Sequence, residues 1–149
     1  MKFVSFMDQA LEQAEIAFKK DEVPVGAIIV DKNKQIIAQS YNQNISLKDP
    51  TAHAEILVIR TACLLKNSHR LDGCDLYVTL EPCAMCAAAI SLARIERLYY
   101  AVPDSKFGAV ENGTKFFSNR SCYHKPQIYS QIGYDKSIKL LKKFFSKKR

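Results

Sequence analysis

Two short segments of this sequence carry residue types that bind metal ions and move protons. They are His53-Ala54-Glu55 and Pro82-Cys83-Ala84-Met85-Cys86, and each lies where a loop or strand is predicted to run into a helix. Cys83 and Cys86 are three residues apart, so on a helix their sulfurs face the same side. The positive end of the helix dipole favours their thiolate forms, and thiolates in this position can bind a cation.

His53 and Glu55 are two residues apart, which inside a regular helix places them on nearly opposite faces. Both side chains reach one site only if His53 lies where the helix begins. Thr51 is a predicted N-cap for a helix over residues 52–66, and this cap places His53 at that point.

The number of protein ligands separates two kinds of zinc site. A catalytic zinc keeps three protein ligands and a position for water, whereas a structural zinc is usually closed by four Cys or His. Cys63 lies about 15 Å along the predicted helix from the histidine, and Cys74 lies about 20 Å away at the far end of a strand. His69 follows the end of the same predicted helix, so the length of that helix separates it from His53. Cys122 and His124 lie on a segment whose position the sequence leaves open. Three ligands and a water are therefore favoured.

With such a water in place, Glu55 has a role that does not require it to bind the metal. Zinc lowers the pKa of the water toward about 7, so a nearby carboxylate can take its proton and later deliver protons to a ring nitrogen and a departing amine. This reaction is hydrolytic deamination. Taken alone, Glu55 also suits a first-turn carboxylate that complements the helix dipole, and the two cysteines suit a redox pair or a structural zinc half-site.

The apolar periodicity predicts the elements that position these residues. In chain order they are an amphipathic helix over 4–18, a strand hairpin over 25–30 and 35–41, a helix over 52–66, a strand over 75–80, a helix from 82 to 93, a strand over 98–102, a loop over 103–113 and a basic helix over 134–148. A hairpin is antiparallel and helical crossovers favour parallel neighbours. The order therefore predicts a three-layer α/β sandwich with a mixed sheet.

Composition predicts one folded domain over residues 1–149. Apolar residues make up 48% of the chain and charged residues 25%, which are ordinary values for a soluble globular protein. The longest apolar run, 83–93, is too short to cross a membrane, and no signal-peptide core forms near the start. We therefore expect a cytoplasmic protein that does not interact with membranes, whose five cysteines are thiols or metal ligands.

The formal net charge of +7 is concentrated at one end of the chain. Residues 120–149 hold nine basic side chains and one acidic side chain, a net charge of +8, whereas residues 1–119 have a net charge of −1. Such a segment is typical of a surface that binds a polyanion such as nucleic acid. The alternative is a solvated tail that only aids solubility.

The pattern H-x-E followed by P-C-x-x-C resembles the signature of the zinc-dependent cytidine deaminase-like superfamily. This resemblance implies a three-layer α/β/α sandwich around a central mixed five-stranded sheet, with one Zn²⁺ per subunit. It also implies that His53, Cys83 and Cys86 bind the zinc and that Glu55 is the catalytic proton shuttle.

Within that superfamily the chain is similar to the bacterial tRNA-specific adenosine deaminases, which convert the wobble adenosine of an anticodon to inosine. The similarity covers most of the chain, including residues 22–27, 42, 49–55, 76–83, 104–109 and the ending Phe144-Phe145 with basic residues after it. It implies that Asn42 contacts the target nucleotide. It also implies that Asp104, Lys106, His124 and the C-terminal helix line a groove for the anticodon stem-loop.

At the C-terminus we expect phosphate contacts among the basic residues Lys142, Lys143, Lys147, Lys148 and Arg149. We expect Phe144 or Phe145 to stack or pack beside a base, and we take Phe145 and Arg149 as the candidate site residues. Packing in the core is the alternative for at least one of Phe144 and Phe145. The resemblance also implies a homodimer.

Two other functions remain as alternatives. A deaminase of a free base or nucleoside, such as a guanine or cytosine compound, uses the same zinc chemistry but does not need the basic C-terminus. A zinc-stabilised RNA-binding module without catalysis needs Cys122 or His124 to close the metal site, and it has no use for Glu55.

Overall fold

A computed structural model describes residues 3–148 of the chain. Its elements in chain order are α1 (Met7–Lys19), β1 (Gly26–Val30), β2 (Ile36–Tyr41), α2 (Ala54–Lys66), β3 (Asp75–Leu80), α3 (Ala84–Ala93), β4 (Arg97–Val102), a 3-10 turn (Phe116–Ser118), β5 (Gln127–Tyr129) and α4 (Tyr134–Lys147).

The five strands form one mixed sheet in the order β2-β1-β3-β4-β5. β1 is antiparallel to both β2 and β3, whereas β3, β4 and β5 are parallel. The Asp31 carboxylate favours the β1–β2 hairpin because it accepts the backbone N–H groups of Asn33 and Gln35 at 2.9 and 3.0 Å. The parallel pairing of β3 and β4 requires a crossover, which α3 supplies.

Side chains alternate between the two faces of the sheet along each strand, and each face has its own hydrophobic core. In β1, Ala27 and Ile29 join the core beneath α2 and α3, while Ile28 and Val30 join the core beneath α1 and α4. β1 is buried on both faces, as a strand between two helical layers must be. The predicted three-layer α/β/α sandwich with a mixed five-stranded sheet is confirmed.

The start of α2 differs from the sequence prediction. The helix begins at Ala54 with His53 as its N-cap, so the prediction of Thr51 as the cap was wrong. The Thr51 hydroxyl is already bound to the Asp49 carboxylate at 2.7 Å, which holds Thr51 in the preceding turn. Asn42 satisfies the helix start instead, because its side-chain oxygen accepts the Ala54 N–H at 2.7 Å.

Two further elements differ from the predictions. α3 begins at Ala84 with Cys83 as its N-cap, two residues later than predicted. β5 was not predicted as a strand, because it has only three residues with alternating exposure.

The predicted basic helix is confirmed as α4. Among the helices of residues 3–148, none is long and apolar enough to cross a membrane.

Candidate active site

The N-terminal ends of α2 and α3 bring together three metal-binding side chains. His53 Nδ1 lies 3.4 Å from Cys86 Sγ and 3.6 Å from Cys83 Sγ. The ligand atoms of all three residues lie within 4.8 Å of one another. His53 and Cys83 are the N-caps of their helices and Cys86 follows in the first turn of α3, so both helix dipoles point their positive ends at the cluster.

The chemistry of this donor set fits zinc. One imidazole and two thiolates are ligands that Zn²⁺ prefers, and three protein ligands are the number found at catalytic zinc sites. A hydrogen bond from Cys86 and another from His53 lower the pKa of Cys83 to about 4, so its thiolate is the stable form. The hydrogen bond to Cys83, together with burial, raises the pKa of Cys86.

Cys122 and His124 lie away from this cluster. Ser91 Oγ lies 3.4 Å from Cys122 Sγ and accepts the backbone N–H of His124 at 2.9 Å. The His124 ring donates its Nε2–H to the Ile95 carbonyl at 2.8 Å. Within residues 3–148 the metal-binding group therefore has three members, and neither residue closes the site as a fourth ligand.

Glu55 lies in the first turn of α2 and lines the same pocket as His53 and Cys83. It is only 4% exposed, and this burial raises its pKa to about 7. A buried carboxyl group with a pKa near neutrality is suited to accept and return a proton at a reacting centre. The three ligands and Glu55 thus lie together where the sequence predicted.

The pocket at the cluster has a volume of about 370 Å³, and residues from five separate parts of the chain line it. Asn42 lines it from the end of β2, and Asp104 and Phe107 line it from the loop after β4. Since the Asn42 oxygen is bound to the start of α2, its amide nitrogen is the group left to donate a hydrogen bond to a ligand.

A larger groove adjoins this pocket. Its volume is about 900 Å³, and it lies between α4 and the loop that follows β4. Asp104 and Phe107 line both spaces, so the groove and the pocket share one wall. Lys106 and Lys142 add positive charge to the groove, and Phe145 lines it from α4.

The two C-terminal phenylalanines have different surroundings. Phe144 is 5% exposed and packs edge-to-face against Phe18 of α1, with ring centroids 6.1 Å apart, so it is the one that belongs to the core. Phe145 is 52% exposed in the groove.

His124 is not among the residues that line the pocket or the groove, and Arg149 lies outside the described residues. An RNA contact by either residue stays a prediction.

Sequence reasoning missed one buried acid beside the metal ligands. Glu81 directly precedes Pro82-Cys83, is 3% exposed and accepts hydrogen bonds from the loop after β4. The signal available in the sequence was an acidic residue at the end of a strand predicted to be buried. A buried carboxylate must accept hydrogen bonds from neighbouring N–H groups, so such a residue indicates that another segment packs against it.

The fold and the site define a zinc-dependent deaminase of the cytidine deaminase type. The family model for the cytidine and deoxycytidylate deaminase zinc-binding region matches residues 2–102. A guanine deaminase from Nitrosomonas europaea superposes with a TM-score of 0.82 over 98% of this chain and 87% of its own. At 20% sequence identity, this similarity shows the shared fold alone.

Relatives with higher sequence identity show to which family of deaminases the chain belongs. The tRNA-specific adenosine deaminase of Agrobacterium fabrum is 54% identical over 144 residues, which cover 97% of this chain and 94% of that protein. A structure from studies of A-to-I editing by tRNA deaminases at the wobble position of transfer RNA is also 54% identical. It has a TM-score of 0.89 and covers 91% of this chain and 98% of its own. The chain belongs to the family of tRNA-specific adenosine deaminases.

Replacing one ligand should abolish metal binding. We expect Cys86→Ala to hold less than about 0.1 zinc per chain where the unmodified protein holds about one, because two remaining donors do not form a stable site. The measurement is metal content by mass spectrometry after dialysis. Cys63→Ala, which removes a half-buried thiol elsewhere on α2, is the matched control and should keep its zinc. Equal zinc content in the two variants would contradict the assignment.

Proposed function

We propose that the protein catalyses hydrolytic deamination of the wobble adenosine in a tRNA anticodon loop to inosine. The observation that carries this proposal is that two spaces share one wall: the pocket lined by His53, Cys83 and the buried Glu55 lies beside a basic groove under α4. The relatives of this chain, which match nearly its whole length, support the same reaction.

His53, Cys83 and Cys86 hold the zinc in this proposal. When bound, zinc supplies Lewis acidity, which lowers the pKa of a water molecule and makes it a nucleophile near neutral pH. Glu55 takes a proton from the attacking water and delivers it to the adenine ring nitrogen next to C6. The water oxygen bonds to C6, and Glu55 then carries the remaining proton of that oxygen to the amino group, so that the C6–N bond breaks, ammonia leaves and a carbonyl forms at C6.

Asn42, Asp104 and Phe107 surround the base in this proposal. A wobble base is already unpaired, so the enzyme needs only to unstack it and hold it in the pocket. The Asn42 amide nitrogen donates to an acceptor on the base while the oxygen of the same side chain holds the start of α2. Binding of the base and placement of the metal ligands therefore depend on the same residue.

The groove binds the rest of the loop in this proposal. Lys106 and Lys142 neutralise phosphates, and the exposed ring of Phe145 offers a face on which a neighbouring base stacks. An enzyme for a free base has no need of this surface.

We also propose that the chain works as one deaminase domain in the cytoplasm and as a homodimer. Leu64, Leu65 and Leu92 are exposed near the C-terminal ends of α2 and α3, two helices that pack against each other. Exposed leucines on an outer layer are typical of a subunit interface.

An anticodon stem-loop with adenosine at the wobble position is the substrate that tests the reaction. We expect the zinc-loaded protein to form inosine in it, and Glu55→Ala to lose at least about 100-fold in turnover because no other group moves the protons. Nucleoside analysis measures the product, and free adenosine, cytidine and guanine are assayed in parallel. Unchanged zinc content and stem-loop binding in the variant show that the loss is chemical.

Two outcomes would count against this function. Turnover of a free base with an unmodified stem-loop would keep the zinc chemistry but assign a different substrate. Tight stem-loop binding without turnover, in the unmodified protein and in Glu55→Ala alike, would indicate a binding module.

Charge removal in the groove should weaken RNA binding. We expect the double variant Lys106→Gln/Lys142→Gln to lower stem-loop affinity and to reduce the slope of log affinity against log salt by about 1 to 1.5, since each lost phosphate contact contributes about 0.7. Lys66→Gln on the opposite helical layer is the control for a change of charge alone. Truncation before Phe144 is less informative because it also removes that buried ring. An unchanged slope would remove the groove from the RNA interface.

The homodimer is tested by sedimentation of the full chain. We expect a dimer at micromolar concentration, and we expect the single variant Leu92→Arg to shift the population toward the 16.9 kDa monomer because it buries a charge in an apolar interface. A monomer at every concentration of the unmodified protein would contradict this proposal.

A further inference from the structure

The Glu81 carboxylate is buried, charged and unused by the chemistry proposed above. It is 3% exposed, and its two oxygens accept five hydrogen bonds from the loop after β4. Oε1 accepts the Asp104 N–H at 2.9 Å and the Asn112 side-chain N–H at 2.7 Å. Oε2 accepts the backbone N–H groups of Val110, Glu111 and Asn112 at 2.9 to 3.1 Å.

These hydrogen bonds join both ends of the loop after β4 to the Glu81 carboxylate. Asp104 lies at the start of the loop and Asn112 near its end, so the chain between them is closed around the carboxylate. All five partners of the two Glu81 oxygens are N–H donors, so neither oxygen needs a proton and the group is a carboxylate. Each bond is therefore charge-assisted, and such bonds are about twice as strong as neutral ones.

The loop is packed so closely on Glu81 that one position excludes a side chain. A Cβ at Gly108 would lie 2.5 Å from the Glu81 carboxyl carbon, and it would also collide with the Asp104 carbonyl oxygen. The Ala109 N–H is bound to the Pro82 carbonyl at 2.9 Å, which joins the loop to the residue beside the metal ligand Cys83.

The same loop forms the wall shared by the pocket and the groove. Asp104 and Phe107 line both spaces, and Lys106 lines the groove. The Asp104 side chain accepts the backbone N–H groups of Lys106 and Phe107 at 3.0 Å each, so the position of Asp104 determines that of the other two.

Because Glu81 lies two residues before Cys83 and binds both ends of this loop, we propose that it is a positioning residue that sets the RNA-facing loop at a fixed distance from the metal centre. Its contribution is to binding of the stem-loop in a productive position, and it touches no reacting atom. This inference rests on the proposed function for its RNA part.

Two variants test the inference. Glu81→Gln keeps the size of the side chain but replaces one acceptor oxygen with a donor, so the partners of that oxygen lose their bonds. Asn112→Ala removes one donor and leaves the four backbone bonds, and it changes a half-buried residue that lines neither space. Asn119→Ala is the matched control, because its side chain also donates to loop backbone, at the Thr114 and Lys115 carbonyls.

Two readouts are measured on each full-length, zinc-loaded variant. Hydrogen exchange followed by mass spectrometry reports on the backbone N–H groups of residues 104–112. Steady-state deamination of the stem-loop separates KM from kcat. We expect exchange in the loop to accelerate at least about tenfold in Glu81→Gln and about threefold in Asn112→Ala. KM should rise by similar factors while kcat and zinc content change less than twofold, and Asn119→Ala should match the unmodified protein.

The outcomes separate this inference from the proposed function. Unchanged loop exchange in Glu81→Gln and Asn112→Ala overturns it, and so does faster exchange with an unchanged KM. A lower melting temperature together with an unchanged KM indicates a purely structural role and also overturns it. An unmodified protein without activity on the stem-loop overturns the proposed function, while loop exchange still decides whether Glu81 holds the loop.

Discussion

The meeting of two helix N-termini is the constraint on which the rest of the structure depends. His53 and Cys83 are both N-caps, so the chain must deliver α2 and α3 to one point with their first residues in contact. The strand order makes this possible. β3 leads into α3, lies at the centre of the sheet and is next to β1. The positive ends of both helix dipoles then add positive potential where thiolates are needed.

Buried carboxylates form a second common feature around this point. Glu22 is almost fully buried and accepts the backbone N–H groups of Ile45 and Ser46 at 3.1 and 2.8 Å, which shapes the loop that follows Asn42. Glu81 does the same for the loop after β4. A buried acid is tolerated in each place because neighbouring backbone donors replace its hydration. Hydrogen bonds hold the pKa of Glu81 below its ordinary value, whereas burial raises the pKa of Glu55, which is the difference expected between an acid that holds a loop and an acid that moves protons.

The sequence predicted what depends on local spacing. The three metal ligands, Glu55 and the three-layer fold follow from motifs and periodicities that lie within single elements. The start of α2 was misplaced because Thr51 has a competing partner in Asp49, and a propensity for capping does not include that competition. The role of Glu81 was missed because its partners lie 23 to 31 residues away along the chain. The resemblance placed His124 in the groove; in the structure its ring is bound to the Ile95 carbonyl, and its contact with RNA stays a prediction.

The separation of the two helical layers has a consequence for how such enzymes change over evolutionary time. The metal ligands and Glu55 lie at the starts of α2 and α3, whereas α4 packs on the opposite face of the sheet and lines the groove that adjoins their pocket. Mutations that reshape α4 therefore leave the catalytic layer intact. A lineage with this architecture can therefore alter its substrate-facing surface at one terminal helix without changing the residues that hold the metal.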